Sequence, residues 1–315
     1  MITPVPPARG LRLSWEQVPA PVRASIEAEI GGRVAVAVTQ PSGFSPGLAA
    51  RVTLDDGRRV FVKALSSAQN RHSPDLHRTE ARITTALPPD VPVPRLLGVH
   101  DDGEWVALIY EDIEGRHPTL PWRPDELADV LDAVTDLHES LTPCPVSDAR
   151  TVEDEPGLFC GWRSLYDRTP ATLDDWSRAH LERLVALEDR WVDVAAGDTL
   201  LHLDLRADNL LIRSDGTVAF VDWPHARRGA PVLDVLGLAP SVGMQGGPDL
   251  DWLLARHRSA AAADPDVVLV LLAAIAGLFT HSSLRPAPPG LPTVRAFQAG
   301  QARIARHWLA ARLAG

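Results

Sequence analysis

Four side chains in one short stretch could do chemistry together. His202, Asp204 and Asn209 lie within Leu201-His202-Leu203-Asp204-Leu205-Arg206-Ala207-Asp208-Asn209, and Asp222 follows in Val221-Asp222-Trp223. A turn of the Asp204 to Asn209 length can point an aspartate and an asparagine into one cavity. Ser214-Asp215-Gly216-Thr217 then signals a hairpin between 210–213 and 218–222, which returns Asp222 to their side. Hard oxygen donors gathered in this way suit Mg²⁺, usually held by one or two protein groups and completed by phosphate and water.

A cation stands far upstream. The chain has 31 lysines and arginines together, and Lys63 is the single lysine among them. Arginine is a planar fork that is always charged, whereas lysine is a compact ammonium on a flexible stem, so one surviving lysine suggests a point-charge role. It lies in Val60-Phe61-Val62-Lys63-Ala64-Leu65, an alternating run that places Phe61, Lys63 and Leu65 on one face of a strand. Glu80 follows on a helix. A strand lysine, a helix glutamate and then His202, Asp204, Asn209 and Asp222 in order match the parts used in phosphoryl transfer. Singly, each has a plainer structural use: Asp222 as a cap, Asn209 as a turn residue, Glu80 as a surface charge. Their joint occurrence carries the reading.

The elements that must position these groups predict an α+β chain. A leading helix over 19–30 ends at Gly31-Gly32, and strands follow over 34–40, 50–54 and 60–65, the last two joined through Asp55-Asp56-Gly57. Ser73 as N-cap and Pro74 as first helical residue open a helix to about Leu87 that contains Glu80. A strand over 105–110 leads into Glu111-Asp112-Ile113-Glu114-Gly115, where composition shifts and a boundary is expected between residues 1–111 and 112–315. Beyond it, apolar residues at helical spacing predict helices over 125–141 and 174–193, then over 231–238, 249–262, 265–280 and 293–314.

With 45% hydrophobic and 23% charged residues, the 315-residue chain reads as globular. Residues 1–7 lack the pattern of a leader, and the apolar run Val267–Phe279 is short for a membrane span, so a cytoplasmic protein with no membrane partner is expected. Cys144 and Cys160 have neither metal-type spacing nor a framework pattern. The net charge of −10 argues against a nucleic-acid partner. Residues 1–111 hold 12 acidic and 12 basic side chains, whereas residues 112–315 hold 29 acidic and 19 basic, so the surplus lies in the second part. That surplus is either a solvated surface or a cleft for a cationic substrate, with Glu153, Asp154, Glu155, Asp249 and Asp251 as candidate contacts.

On these residues the chain resembles the aminoglycoside phosphotransferase family, small-molecule kinases whose fold is similar to that of protein kinases. The resemblance runs from the Ser42–Gly47 loop to Asp234 and is most specific over 202–222. It implies a bilobal fold with a small antiparallel-sheet N-lobe carrying one key helix and a larger, mainly helical C-lobe. It also implies ATP or GTP with Mg²⁺: Asp204 as catalytic aspartate, Asn209 and Asp222 on the metal, and Lys63 on the α- and β-phosphates while paired with Glu80. Ser42 and Gly43 would lie at the phosphates, Tyr110, Glu111 and Ile113 at the base, and Asp234 would brace the catalytic loop. His202 is read as structural, and Arg206 as reaching either a phosphate or Asp208. Trp223-Pro224 after the metal aspartate fits the antibiotic-kinase branch and argues against a protein kinase. The implied activity is transfer of a γ-phosphate to a hydroxyl of a small molecule. An antibiotic leads, aminoglycoside-like first, with macrolide or nucleoside antibiotics as further options. A kinase of small metabolites, a non-catalytic nucleotide-binding regulator and a metallohydrolase remain as alternatives.

Overall fold

The computed structural model describes residues 5–71 and 73–314; Met1–Pro4, part of the opening segment read as lacking a leader, lie outside the described residues. The first part is a six-stranded sheet of β1 (Arg12–Leu13), β2 (Val34–Thr39), β3 (Gly47–Leu54), β4 (Arg59–Ser66), β5 (Leu96–Asp101) and β6 (Trp105–Glu111). Its main path runs β1-β3-β4-β6-β5, and β2 also pairs with β3. β4 is therefore interior, with Lys63 opposite Ala49 of β3 and Leu108 of β6. One face of the sheet is covered by α1 (Ala20–Ile30), whose Val22 and Ile26 join Val52, Leu54, Val62 and Ile109 in a buried cluster. The second helix, α2 (Ser73–Ala86), packs on β4, β5 and β6 and carries Glu80.

The expected helices and hairpin of this part are present, and β5 is a strand that the sequence reading did not place; three further differences are instructive. Ser73 is the first helical residue rather than the cap. β1 has no counterpart in the sequence reading, because a two-residue strand leaves no periodicity to detect; Arg12 pairs in parallel with Gly47. β3 begins at Gly47 rather than Ala50. Gly47 has φ +89, and a Cβ there would lie 2.5 Å from the Ala64 carbonyl oxygen, so only glycine lets β3 close onto β4 this early.

The second part is mainly helical. It contains α3 (Pro124–Ser140), α4 (Gly161–Asp167), α5 (Asp175–Ala179), α6 (Leu181–Glu188), α7 (Trp191–Ala195), α8 (Val232–Met244), α9 (Leu250–Arg256), α10 (Arg258–Ala261), α11 (Pro265–Ser283) and α12 (Val294–Ala314). Two short antiparallel pairs interrupt them: β7 (Thr199–Leu201) with β10 (Arg227–Gly229), and β8 (Leu210–Ile212) with β9 (Val218–Phe220). Two expected long helices are broken. Residues 174–193 divide into α5, α6 and the start of α7. Residues 249–262 divide at His257, which leaves helical geometry (φ −103, ψ 126) so that its ring can reach His138 of α3.

α11 is long and apolar enough to cross a membrane by length and composition. Here it is a core helix, with Val268, Val270–Gly277 and Thr280 buried against α4, α6, α8 and α12. The α4 contact is set by two glycines: a Cβ on Gly161 would lie 2.1 Å from the backbone of Gly277. Glu188 secures the same helix end, accepting from the N–H groups of Trp162 (2.9 Å) and Arg163 (2.8 Å). Gly161→Ala should therefore push α4 off α11 and lower stability by about 1–3 kcal/mol. Gly157→Ala, where a Cβ meets nothing within 4 Å, should leave the denaturation midpoint in place.

Candidate active site

Lys63 projects from the interior strand β4 and is held by two carboxylates. Its Nζ donates to both oxygens of Glu80 at 2.8 Å and to Asp222 Oδ1 at 2.6 Å. Glu80 is only 2% exposed, so the ammonium is what keeps its charge from being stranded in the core. Burial alone would lower the Lys63 pKa, but Asp222 and Glu80 outweigh it and raise it above the usual lysine value. Burial likewise opposes the charge on Asp222, and Lys63, ahead of Arg206, overcomes it and holds that carboxyl below its ordinary range. The site thus keeps a fixed ammonium and a fixed carboxylate in contact.

The loop after β7 presents Asp204 through an unusual backbone. Leu203 has φ 58, a left-handed conformation rare outside glycine, and it is secured by Asp234. The carboxylate of Asp234, buried at the start of α8, accepts from His202 N (2.8 Å) and Leu203 N (2.7 Å). Behind it, His138 Nε2 lies 3.0 Å from Asp234 Oδ2, and His138 Nδ1 lies 3.2 Å from His257 Nε2. His202 is structural: Nδ1 accepts from Asp204 N at 3.2 Å, so Nε2 is the ring donor and gives its proton to Val221 O at 3.0 Å. Burial lowers the His202 pKa and favours this neutral form. Val221 N in turn donates to Asn209 O, joining the two chain segments just before Asp222, which itself has φ 72.

Around Asp204 the polar contacts are closed. Asn209 Nδ2 donates to Asp204 O (2.8 Å) and Asp204 Oδ2 (3.1 Å), leaving the amide oxygen as its acceptor. Arg206 answers the question left open by the sequence by pairing with both neighbours, donating to Asp204 Oδ1 and, through two 3.0 Å bonds, to Asp208. The Asp208 carboxylate is therefore neutralised in place. The Asn209 amide oxygen and the Asp222 carboxylate are the hard donors that Mg²⁺ takes from a protein, so the residues present fit that ion. Among the described residues there is no cluster of three or more His, Cys, Asp or Glu that could hold a metal without a ligand's oxygens.

Lys63, Glu80, Ser42, Gly43, Tyr110, Glu111, Ile113, Asn209 and Asp222 all line one cleft. Asp204 faces the adjoining, wider cavity, with Asp222 lining both. Gly43 reaches the cleft wall, but its N–H is committed to Ala8 O at 3.0 Å, because the N-terminal segment runs along the back of the loop. The cation on this side is Arg12, which the sequence did not single out. Its guanidinium donates to the carbonyls of Ser42 and Ser45; burial lowers its pKa, and the charges of Asp222 and Asp208 offset that only in part. Only the pairing of Arg12 with Gly47 brings it there, so no spacing rule could have found it. The five candidate acidic contacts are corrected in the same way. Glu155 alone lines the cavity; Asp249 caps α9, Asp251 pairs with Arg312, and Glu153 and Asp154 stand off the wall.

The chain is similar in fold to the GDP and kanamycin complex of APH(2'')-IIia, with TM-score 0.64 and 14% identity over 94% of this chain and 99% of that one. It is also similar to a thermostable aminoglycoside phosphotransferase APH(4)-Ia bound to ADP and hygromycin B, with TM-score 0.59 and 16% identity over 92% and 97%. An aminoglycoside phosphotransferase from Alicyclobacillus acidocaldarius gives TM-score 0.54 and 18% identity over 89% and 91%. At these identities the likeness establishes the kinase-like fold. A search of curated protein sequences finds no match. The family model described as phosphotransferase enzyme family, APH, matches residues 41–271, from the loop before β3 into α11, and the chain belongs to that family.

Proposed function

We propose that the protein is an NTP-dependent O-phosphotransferase that moves the γ-phosphate of ATP or GTP to a hydroxyl of a small molecule, with an antibiotic as the leading acceptor and resistance by inactivation as the consequence. One observation carries this reading: the Lys63 ammonium, the Asn209 and Asp222 oxygens and the Asp204 carboxylate border two adjoining spaces, a cleft of about 120 Å³ and an open cavity of about 560 Å³. Phosphoryl transfer leaves little covalent work for the protein, so the rate comes from alignment and charge neutralisation.

In this reading the backbone of Tyr110–Ile113 meets the base, and Lys63 turns from Asp222 to hold the α- and β-phosphates while keeping Glu80. Asn209 and Asp222 would hold Mg²⁺, which would supply neutralisation of the phosphate oxygens. Asp204 orients the acceptor hydroxyl toward the γ-phosphate and takes its proton as the new O–P bond forms and the bond to the β-phosphate oxygen breaks. His202 and Asp234 keep the loop in its strained geometry. Arg12 adds positive charge at the phosphate end.

Asp204→Ala should lower transfer by about 10²–10⁴-fold while nucleotide affinity, measured by calorimetry, survives. Normal turnover in that variant removes Asp204 from its role. Lys63→Arg keeps the charge but offers a planar fork where a point charge bridges two carboxylates; kcat should fall roughly 10²-fold or more, read in an NDP-release assay. Acceptor-dependent NTP consumption supports the kinase, nucleotide binding without turnover would indicate a regulator, and nucleotide-free hydrolysis a metallohydrolase.

A further inference from the structure

The cavity beside Asp204 has the volume of a drug-sized site, and its wall is unlike what a polycation needs. Phe159, Ile275, Leu278, Phe279, Leu291 and Phe297 supply aromatic and aliphatic surface from the segment before α4, from α11 and from the approach to and first turns of α12. Phe44, at the tip of the loop before β3, meets Phe297 edge to face with centroids 5.1 Å apart, so the apolar wall continues across from the sheet side. The buried amide of Gln301 is a neutral polar group on the same wall.

The carboxylates that reach this cavity are all committed. Glu155 accepts from Arg227 at 3.0 Å and pairs with Arg150 at 2.5 Å. Asp204 is held by Arg206, Asp222 by Lys63, and Asp234 by His138 and two backbone N–H groups. Arg206 and Arg227 bring two guanidiniums to the wall as well. An acceptor with several ammonium groups would have to shed its hydration against rings and guanidiniums with no unpaired carboxylate to compensate. An uncharged hydroxylated molecule gains from the same wall, since each apolar side chain it covers removes nonpolar area from water. His77, kept neutral because burial and then the Lys63 charge lower its pKa to about 3, adds no charge to this balance.

We infer that the acceptor pocket selects an uncharged, largely apolar hydroxylated molecule over a polycationic sugar. The inference rests on the phosphotransfer reading for the identity of the pocket, and the surplus negative charge of the second part is then surface charge rather than a substrate funnel.

The test measures binding and turnover separately on the full chain loaded with a non-hydrolysable ATP analogue and Mg²⁺, or with ATP for turnover. Chloramphenicol and erythronolide B are the uncharged probes; kanamycin and hygromycin B are the polycations. At least one uncharged probe should bind about tenfold or more tightly than either polycation in calorimetry. Phe279→Asp, which places an unpaired carboxylate on a half-exposed part of the wall, should weaken that probe by a similar factor and leave nucleotide affinity unchanged. Tighter binding of a polycation, or no binding by either uncharged probe, overturns the inference. Uncharged-probe binding with no acceptor-dependent NDP release from any probe counts against the phosphotransfer reading and leaves the pocket's preference standing, so the two failures are distinguishable.

Discussion

The Lys63 ammonium, caught between Glu80 and Asp222, is the interaction on which the rest depends. The three residues come from β4, from α2 and from the segment just after the β8–β9 hairpin, so one cation ties the sheet and its helix to the helical part. A buried carboxylate and a buried ammonium are each costly alone, and the contact persists because neither can leave without stranding the other. This makes the cleft a preformed electrostatic centre rather than a surface that assembles on demand.

A second constraint fixes the catalytic loop. Leu203 and Asp222 both occupy positive φ, and neither is glycine. Such strain survives only where surrounding groups over-determine it. Asp234 supplies two backbone contacts to the first, and His202 with Asn209 ties down the chain entering the second. His138 and His257 then anchor Asp234 from behind, and the break between α9 and α10 is the local consequence of bringing His257 into that line. The order runs inward: α3, α8 and the break between α9 and α10 hold three side chains, these hold the loop, and the loop aims Asp204.

The acceptor side follows different rules. Much of its apolar wall is drawn from α11, α12, their connection and the segment before α4, none of which lines the cleft that holds Lys63. A fold can therefore keep the lysine, aspartates and asparagine while exchanging rings, carboxylates and volume in the neighbouring cavity. Solved relatives at 14–18% identity share the architecture with this chain, and at that distance each lining residue must be read on its own chemistry.

The sequence by itself determined the parts whose signal is local. The solitary lysine in an alternating strand, the Asp-Gly hairpins, the helix opened at Ser73-Pro74 and the His202–Asp222 spacing were all legible, because residue type and short-range period encode them. Tertiary structure decided the rest. Arg12 enters the cleft only because β1 pairs with β3, and His138 and His257, 119 positions apart, meet only when α3 packs against α9 and the break that follows it. The charge surplus of residues 112–315 fitted either a solvated surface or an acidic cleft, and the carboxylates that reach the cavity are all paired in the fold. Composition counts charges, whereas their partners, and so their effect on a ligand, depend on contacts between segments that no local pattern records.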